Sequence, residues 1–464
     1  MDNTELREKL FYAPKNGYDR ITDEERRNVF KLAESYKDYL ANSATERDTV
    51  QTTIELAEKQ GFVPYTRGME LNPGDRIYTV GYAKSIILAV IGNAPMTEGT
   101  HILAAHIDSP RLDLKPMPMY EDRKELVYFK THYYGGVKKY QWVSIPLALR
   151  GVVALKGGGV VNVDIGSKPG DPVFTITDLL PHLGKDQMSR TLAEGITGEA
   201  LNVLIGSIPM KDDEGSDRAK FAILSYLYEQ YGITESDFLS AELSIVPNFP
   251  VSDVGFDRSL IGGYGHDDRC CAYAALHALL EMGTPAKTAV CILADKEEIG
   301  SVGVTGMQSQ FFDTFMSALC GGDCFLRQCY ENSSCLSADV CNAFDPIYAE
   351  VSEARNSAYA NYGVGIMKYT GSRGKGGSND AGAEFVGVVR TALDESGVIW
   401  QMAELGKVDQ GGGGTVAGYM GNRNIQTIDI GVPVLSMHAP YEVISKLDLY
   451  MAARAMSAFC ALEE

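Results

Sequence analysis

The sequence predicts an α/β fold in which a domain built on a mixed sheet is interrupted by a smaller β-rich domain. The chain has 464 residues, more than one hydrophobic core usually organises, so two domains are expected. Helix-like and strand-like patterns alternate in the outer segments, 1–110 and 251–464, as is typical of an α/β domain. The middle segment, 111–250, consists of short Val-rich runs separated by Gly and Pro. We therefore predict a discontinuous outer domain with an inserted β-rich domain.

The first outer segment begins with helices and continues with buried strands. Between residues 22 and 60, apolar side chains recur at the spacing of one or two amphipathic helices, namely Val29, Leu32, Ala33, Tyr36 and Leu40. Short β-branched runs follow Gly61, at 77–80 and in SIILAVIG and THILAAHID. Continuous apolar runs of this length are typical of strands that are buried on both faces of a sheet.

The middle segment and the second outer segment differ in pattern. In the middle segment, RGVVALKGGGVVNVDIG predicts short strands, the acidic KDDEGSDRAK predicts a linker, and FAILSYLYEQYG predicts a helix. In the second outer segment, DDRCCAYAALHALLEMG predicts a helix and KTAVCILADKEE predicts a strand that ends in charged residues. The glycine-rich stretches KGGSNDAG and GGGG predict loops, which often carry function when they follow strands.

Composition and charge exclude several classes of function. Acidic residues outnumber basic residues by 61 to 42, and the formal net charge is −19. A surface of this charge repels phosphate backbones and anionic lipid head groups, so nucleic acid and membranes are not expected partners. The N-terminal stretch is charged and lacks an apolar core, and no run approaches the ~18 apolar residues of a membrane span. We expect a soluble, cytoplasmic protein.

The cysteines predict a reducing compartment. Their number, nine, is odd, and they do not form the dense framework of a small secreted protein. Five of them follow one another at short intervals, at Cys320, Cys324, Cys329, Cys335 and Cys341. Because this run lacks paired CxxC motifs, we predict buried free thiols there in preference to a structural zinc site.

Two of the seven histidines lie where apolar strand patterns meet turns. His106 occurs in LAAHIDSP, and Asp108, two residues later, is placed to hold its second ring nitrogen. His438 occurs in VPVLSMHAPYE, also directly after an apolar run. Taken singly, each could be an ordinary polar residue at a strand end. The patterns around His101, His266 and His277 indicate structural or supporting roles.

Acidic residues occur at equivalent places. Glu297 and Glu298 end the strand pattern of ILADKEEIGS, the adjacent pair Asp267 and Asp268 begins a helix after GYGH, and Asp339 ends the short run in LSADVCNAFDP. Adjacent carboxylates are normally solvated surface pairs. These instead follow apolar strands or a glycine turn, and the carboxyl ends of strands are where open α/β sheets bind ligands.

Together these residues predict a site for two metal ions. Two divalent ions about 3.5–4 Å apart require a bridging carboxylate, one carboxylate and one imidazole for each ion, and a free carboxylate that takes a proton from a shared water. The two histidines, Glu297, Glu298, Asp339 and one residue of the adjacent Asp pair supply this set. Oxygen and nitrogen donors without a thiolate favour zinc, manganese or cobalt. Spacing alone leaves open which residue of the adjacent Asp pair bridges the ions.

Five motifs in this order resemble the aspartyl aminopeptidase family of dinuclear zinc metallopeptidases: AAHIDSPRLDLKP, the Asp pair after glycine and histidine, DKEEIGS, SADVCNAFDP and LSMHAPYE. The resemblance covers nearly the whole chain. It implies a zinc-exopeptidase-like catalytic domain that a β-rich oligomerisation domain interrupts after the first metal ligand. It also implies a metalloaminopeptidase with two divalent ions in each subunit, most often zinc.

The resemblance assigns roles to individual residues. His106 and Asp339 would bind one metal, Glu298 and His438 the other, and Asp267 would bridge both. Glu297 would be the general base, and Asp108 would support His106. A neighbouring subunit would contribute His182, in LLPHLGK, to stabilise the oxyanion, and Lys368, in VGIMKYTG, would recognise an acidic N-terminal residue.

The resemblance further implies peptide substrates and a closed homo-oligomer, a dodecamer. The sequence departs from better-known members around KYTGSRGKGGSNDAG and DQGGGGTVAG, and these departures bear on which N-terminal residue is preferred. Two alternatives stay open. One is a dinuclear deacylase or carboxypeptidase, since the same ligand set serves other amide hydrolyses. The other is a non-catalytic peptide-binding assembly protein, which predicts the loss of a ligand or of the base.

Overall fold

A computed structural model describes residues 2–123 and 125–463. The helices are α1 (Asn3–Leu10), α2 (Asp23–Ala41), α3 (Glu46–Lys59), α4 (Lys185–Met188), α5 (Leu192–Gly195), α6 (Arg218–Tyr231), α7 (His266–Glu281), α8 (Phe311–Leu319), α9 (Asp323–Glu331), α10 (Ala383–Glu395), α11 (Ala417–Gly421) and α12 (Lys446–Cys460). The predicted amphipathic region is therefore two helices, α2 and α3. Each begins with a capping box, Thr22 with Glu25 and Thr45 with Asp48, which satisfies main-chain N–H groups that the first helical turn leaves unpaired.

The strands fall into three groups along the chain. Before residue 110 they are β1 (Val63–Pro64), β2 (Arg76–Gly81), β3 (Ser85–Val90) and β4 (Thr100–His106). Between 111 and 250 they are β5 (Arg111–Asp122), β6 (Leu126–Tyr134), β7 (Leu147–Ala154), β8 (Val160–Ile165), β9 (Thr175–Ile176), β10 (Val203–Gly206) and β11 (Ala241–Pro247). After 250 they are β12 (Ser252–Val254), β13 (Leu260–Gly263), β14 (Thr288–Ala294), β15 (Ser334–Ala338), β16 (Cys341–Asn342), β17 (Val364–Met367), β18 (Trp400–Met402), β19 (Gln426–Gly431), β20 (Pro433–Leu435) and β21 (Glu442–Ser445).

A nine-stranded mixed sheet forms the centre of the molecule, with the order β1-β2-β3-β14-β4-β15-β19-β17-β18. The neighbours β14, β4, β15 and β19 are parallel. Every residue of β4 and β14 is buried, because helices cover both faces of such a sheet. The long helix α7, with α12 and α2 packed against it, covers one face. The predicted α/β class with a mixed sheet is confirmed.

A separate seven-stranded antiparallel sheet consists of β5 to β11, in the order β8-β7-β11-β5-β6-β10-β9. It has its own cluster of buried apolar side chains, to which α6 contributes Ala219 and Leu227. A five-stranded sheet, β12-β13-β21-β20-β16, lies in the second outer segment. The domain boundaries after residues 110 and 250 stay a prediction, since membership of a sheet does not test independent folding.

The cysteines are all free. Of the five for which burial was predicted, Cys329, Cys335 and Cys341 are buried, Cys320 is half-buried and Cys324 is exposed. The prediction is wrong for Cys324. This residue lies in the first turn of the short helix α9, and the buried residues of that helix are Cys329 and Tyr330. No helix in the described part of the chain combines the length and the apolar character needed to cross a membrane.

Candidate active site

The residues singled out for their chemistry converge on one edge of the nine-stranded sheet. Because β14, β4 and β15 are parallel neighbours, their carboxyl ends meet at that edge. The converging residues are His106 at the end of β4, Glu297 and Glu298 in a 3₁₀ turn after β14, Asp339 directly after β15, Asp267 in the first turn of α7, and His438 three residues after β20. Segments that are far apart in sequence thus supply one cluster.

Asp267 lies between the two histidines. Its Oδ1 is 3.2 Å from Nε2 of His106, and its Oδ2 is 3.2 Å from Nε2 of His438. One carboxylate oxygen therefore faces each imidazole ring. The main-chain N–H of Asp267 donates to Oε2 of Glu442 at 3.1 Å, which holds the first turn of α7 in place beneath the carboxylate.

Each histidine also faces a second carboxylate. Nε2 of His106 is 3.6 Å from Oδ1 of Asp339, and Nε2 of His438 is 3.6 Å from Oε1 of Glu298. The cluster thus consists of two similar halves that share Asp267. These are the two halves that the resemblance implies.

The other ring nitrogen of each histidine contacts a main-chain carbonyl. Nδ1 of His106 is 3.0 Å from the carbonyl oxygen of Asp108, and Nδ1 of His438 is 2.8 Å from the carbonyl oxygen of Gly136. A carbonyl oxygen only accepts hydrogen bonds, so each Nδ1 carries the proton and donates it. In the neutral rings, each Nε2 therefore has a free lone pair that points into the cluster.

Asp108 supports the cluster through its main chain and its carboxylate. Its Oδ1 is 3.4 Å from Nδ1 of His106, slightly farther than its own carbonyl oxygen. The carboxylate accepts main-chain N–H groups from Glu297 at 3.1 Å and from Glu298 at 3.2 Å. It also accepts the hydroxyl of Tyr134 at 2.8 Å. Asp108 therefore orients the turn that carries both glutamates as well as the histidine ring.

Burial and mutual charge shift the pKa values of the cluster in opposite directions. Burial raises the pKa of Glu297 to about 8, and the carboxylate of Asp339 adds to the rise against the opposing charge of His106. Burial would lower the pKa of His438, but its contact with Asp267 raises it to about 10. Burial would raise the pKa of Asp267, but its two imidazole contacts hold it well below the usual value. Without bound cations, Asp267 is therefore ionised at neutral pH, while Glu297 is mostly protonated.

The second residue of the aspartate pair lies in different surroundings. Asp268 is fully buried, and neither of its carboxylate oxygens has a hydrogen-bond partner among the described residues. Its side chain is close to Cys270 and Cys271. Burial raises the pKa of all three groups, which favours their protonated, neutral forms over metal-binding anions. This geometry favours Asp267 over Asp268 as the shared carboxylate.

The donor groups of the cluster fit two divalent cations. Ligand atoms of His106, Asp267 and Asp339 lie within 4.8 Å of one another, and so do those of Asp267, Glu298 and His438. Oε1 of Glu298 is buried without a hydrogen-bond partner among the described residues, as expected of an oxygen that requires a cation. Imidazole and carboxylate donors suit zinc, and also manganese or cobalt.

Residues 39–460 match the family model of the aminopeptidase I zinc metalloproteases, M18. The chain belongs to the M18 family of zinc aminopeptidases. A probable M18 family aminopeptidase 1 from Clostridium acetobutylicum is 48% identical over 96% of this chain and 97% of its own length. The resemblance to the aspartyl aminopeptidase family and the prediction of a metalloaminopeptidase are thereby confirmed.

Solved M18 structures share the whole fold. The M18 aminopeptidase from Thermotoga maritima has a TM-score of 0.93 and 42% identity, with 97% of this chain and 99% of that chain covered. The Saccharomyces cerevisiae mApe1 dodecamer has a TM-score of 0.75 and 19% identity, with 93% and 97% covered. At that identity the yeast structure shows the fold alone. The predicted zinc-exopeptidase-like fold is confirmed.

A cavity of about 730 Å³ borders the cluster of histidines and carboxylates. Beyond the acidic cluster, its wall is formed mainly by uncharged side chains, including Val340, Asn342, Met367, Leu405, Tyr419 and Met437. Among the described residues that line the cavity there is no lysine or arginine. Lys368, predicted to recognise an acidic residue, lies outside this lining. Its Nζ is 2.7 Å from Asp380, whose other carboxylate oxygen is 2.9 Å from Nζ of Lys375.

The structure places His182 in the segment of the seven-stranded sheet, apart from the cavity lining. It lies in the 3₁₀ turn Pro181–Leu183, and the side chain is exposed. Within one subunit of this M18 enzyme, His182 therefore does not join the cluster. An exposed position is what a role at a neighbouring subunit's site would require, and that role stays a prediction.

Sequence patterns missed three contributors to the M18 site. Glu442 is buried and accepts the main-chain N–H groups of Asp267 and His438. Tyr134 binds Asp108, and Gly136 binds the ring of His438. Glu442 follows His438 closely enough to have been suspected, but no local pattern marks residues 134–136.

Proposed function

We propose that this M18 enzyme is a dinuclear metal-dependent aminopeptidase in which Asp267 is the ligand common to both cations. The observation that carries the proposal is the position of this carboxylate. Its Oδ1 lies 3.2 Å from Nε2 of His106, and its Oδ2 lies 3.2 Å from Nε2 of His438. Asp339 would complete one half of the site and Glu298 the other. When bound, the two cations would supply Lewis-acid activation of a water molecule and neutralise charge that develops on the substrate carbonyl.

Glu297 carries the proton transfer in this proposal. It lies beside the cluster but belongs to neither group of metal-binding side chains, so its carboxylate is free to act as a base. Without metal, burial raises the pKa of Glu297 to about 8, and two bound cations nearby would favour its ionised form, which would accept the proton of the attacking water. The same carboxylic acid then donates the proton to the departing amine nitrogen, which completes hydrolysis of the first peptide bond.

We extend the proposal to the substrate side chain. The cavity wall combines apolar side chains, including Met367 and Leu405, with no lysine or arginine among its described residues. Asp380 pairs with Lys368, the residue that the resemblance implies for acidic substrates. An uncharged N-terminal side chain therefore suits this cavity better than Asp or Glu, whose carboxylates would lie unpaired near the negative cluster.

Assembly and location complete the proposal. We expect a homo-oligomer, and a dodecamer is the form that the resemblance implies and that the yeast relative adopts. Light scattering of the purified full chain tests this through its mass, since one subunit weighs 50.5 kDa. The cytoplasmic location stays a prediction, with which nine free thiols agree.

The deciding experiment follows the release of free amino acids from matched peptides that begin with Leu, Glu, Asp or Lys. Enzyme is stripped with chelator and reloaded with zinc, manganese or cobalt. Metal-dependent release is expected to fall by about 10²- to 10⁴-fold in Glu297→Gln, while two metals per chain remain bound. A fully active Gln variant would rule out Glu297 as the base.

N-terminally acetylated versions of the same peptides separate the alternatives. An aminopeptidase leaves them intact, whereas a carboxypeptidase or a deacylase attacks them. If neither the unblocked nor the acetylated peptides are cleaved after metal loading, the protein is a non-catalytic binder.

A further inference from the structure

The turn that follows β6 reaches from the seven-stranded sheet into the metal-binding cluster. β5 and β6 pair antiparallel, with Arg111 opposite Tyr134 at the end nearest the cluster. The chain then runs through Gly135 and Gly136. These residues belong to the segment that the sequence predicts as an insertion, whereas the metal-binding side chains come from the outer segments. The two parts of the chain thus meet at the active site.

Tyr134 contacts the half of the cluster that contains His106. Its hydroxyl donates to Oδ2 of Asp108 at 2.8 Å, and Asp108 in turn orients His106 and accepts the main-chain N–H groups of the two glutamates. The Tyr134 side chain is buried. A hydrogen bond from a buried hydroxyl to a carboxylate both stabilises the negative charge and fixes its direction.

The ring of Tyr134 is itself held in place. The guanidinium carbon of Arg111 lies 4.0 Å from the ring centroid, which is a close cation–π contact. Arg111 is buried and forms ion pairs with Glu46 of α3, at 3.2 Å, and with Asp113. Glu46 of α3 therefore holds Arg111, and Arg111 holds the ring whose hydroxyl donates to Asp108.

The two glycines contact the other half of the cluster. The carbonyl oxygen of Gly136 accepts the proton of Nδ1 of His438 at 2.8 Å. A Cβ atom at Gly136 would lie 3.1 Å from that same nitrogen, and one at Gly135 would lie 3.1 Å from Oε2 of Glu298. Gly135 also has φ +70°, in the left-handed region that favours glycine. Residues without side chains allow this close approach.

We propose that residues 134–136 position both halves of the metal-binding site, so that the β-rich segment is part of the catalytic apparatus as well as a candidate surface for assembly. Tyr134 acts on His106 through Asp108, and Gly136 acts on His438 directly. Both are positioning residues, since neither belongs to a metal-binding group. The inference rests on the proposed dinuclear function.

Metal affinity of the full-length protein tests this inference with a measurement independent of activity. Metal-depleted wild type and Tyr134→Phe are titrated with zinc against a chromogenic chelator, which reports stoichiometry and dissociation constants. The Phe variant keeps the ring on Arg111 and loses only the hydroxyl. Removal of such an outer partner typically weakens metal binding by about 10- to 100-fold, and we expect a loss of that size in at least one of the two binding steps.

Tyr133→Phe is the matched control. Tyr133 is the preceding residue on β6 and is 43% exposed, so its hydroxyl can be removed without touching Asp108. We expect its zinc affinity and its kcat to equal those of wild type. At saturating zinc, Tyr134→Phe should regain much of its kcat, a recovery that general loss of structure would not give.

A second pair of variants tests the other half and guards against misfolding of the first. Gly136→Ala places a methyl group against the His438 ring, while Gly157→Ala adds one in open space. Zinc binding that is weaker in Gly136→Ala and unchanged in Gly157→Ala supports the inference. Wild-type affinity in both Tyr134→Phe and Gly136→Ala overturns it, and leaves the proposed function standing if wild type binds two zinc ions. A wild type that does not bind two ions overturns the proposed function itself.

Discussion

Oδ2 of Asp267 lies 3.2 Å from Nε2 of His438, while the other oxygen of the same carboxylate faces His106. Asparagine in place of Asp267 would offer one acceptor oxygen and one NH₂ group, so it could serve only one of the two rings. We expect Asp267→Asn to bind fewer than two zinc ions per chain after dialysis. Its zinc affinity should fall by more than about 100-fold, the upper end of the loss that follows removal of a residue hydrogen-bonded to a metal ligand. Elemental analysis and zinc titration measure both quantities.

Asp268→Asn is the control for this prediction. Burial raises the pKa of Asp268, which favours the neutral acid, and asparagine resembles that form in size and charge. We expect this variant to retain two zinc ions and wild-type activity. If Asp268→Asn lost zinc and Asp267→Asn did not, the assignment of the shared ligand would be reversed.

Glu442→Gln should lower the free energy of unfolding of the metal-free protein. The two carboxylate oxygens of Glu442 accept the N–H groups of His438 at 2.7 Å and of Asp267 at 3.1 Å, and the side chain is 1% exposed. Glutamine would turn an NH₂ group toward one of these donors and leave it unpaired, at a cost of about 1–3 kcal/mol. Urea unfolding in chelator measures this loss without the contribution of metal binding. An unchanged midpoint and slope would show that the carboxylate does not hold these amides.

Most of the catalytic cluster could be predicted from sequence because its residues end recognisable strands. His106, Glu297 and Asp339 each follow an apolar run, and the runs are parallel neighbours in the sheet. Parallel order places strand ends together, so a local pattern was enough to indicate a shared site. Spacing alone did not separate Asp267 from Asp268, since both lie in the same turn, and the choice of Asp267 came from the family resemblance.

Contacts between distant segments could not be predicted in this way. Gly136 and His438 are 302 residues apart, and the 134–136 segment shows no periodicity that indicates contact with metal ligands. For Lys368 the sequence supplied a charge but not its partner. The partner, Asp380, lies only 12 residues away, on a glycine-rich loop whose path no pattern predicts.

Asp380→Asn should shift substrate preference toward acidic N-terminal residues. Asp380 contacts the ammonium groups of both Lys368 and Lys375, and its loss would leave two cations near the cavity without their shared partner. One added charge contact at about 4 Å in water is worth about 1 kcal/mol, so we expect the ratio of kcat/KM for Glu-initial over Leu-initial peptides to rise about fivefold. The control is Lys368→Ala combined with Asp380→Asn, which should lower the ratio again by the part that Lys368 contributes, since only Lys375 then remains unpaired. A ratio that no variant changes would show that Lys368 does not contact the substrate side chain.

His101 should make the stability of the protein depend on pH below neutrality. Its ring is 1% exposed, with Nδ1 3.0 Å from Oγ of Ser334 and Nε2 3.1 Å from the carbonyl oxygen of Leu462. The neutral ring satisfies both contacts, since Nε2 donates and Nδ1 accepts. Burial lowers the pKa of His101 to about 4. The unfolded chain therefore binds a proton near pH 6.5 that the folded protein does not bind until about pH 4.

The folded state consequently loses stability as pH falls through this window, by up to about 3 kcal/mol from this one group. His101→Gln can form both hydrogen bonds but does not titrate, so its free energy of unfolding should rise relative to wild type as pH falls from 6.5 to 4. Urea unfolding of both proteins across this range measures the difference, with the exposed His132 replaced by Gln as the control. A difference that stays constant with pH would show that the ring of His101 is not held neutral by its burial, because only a suppressed protonation makes the two proteins diverge.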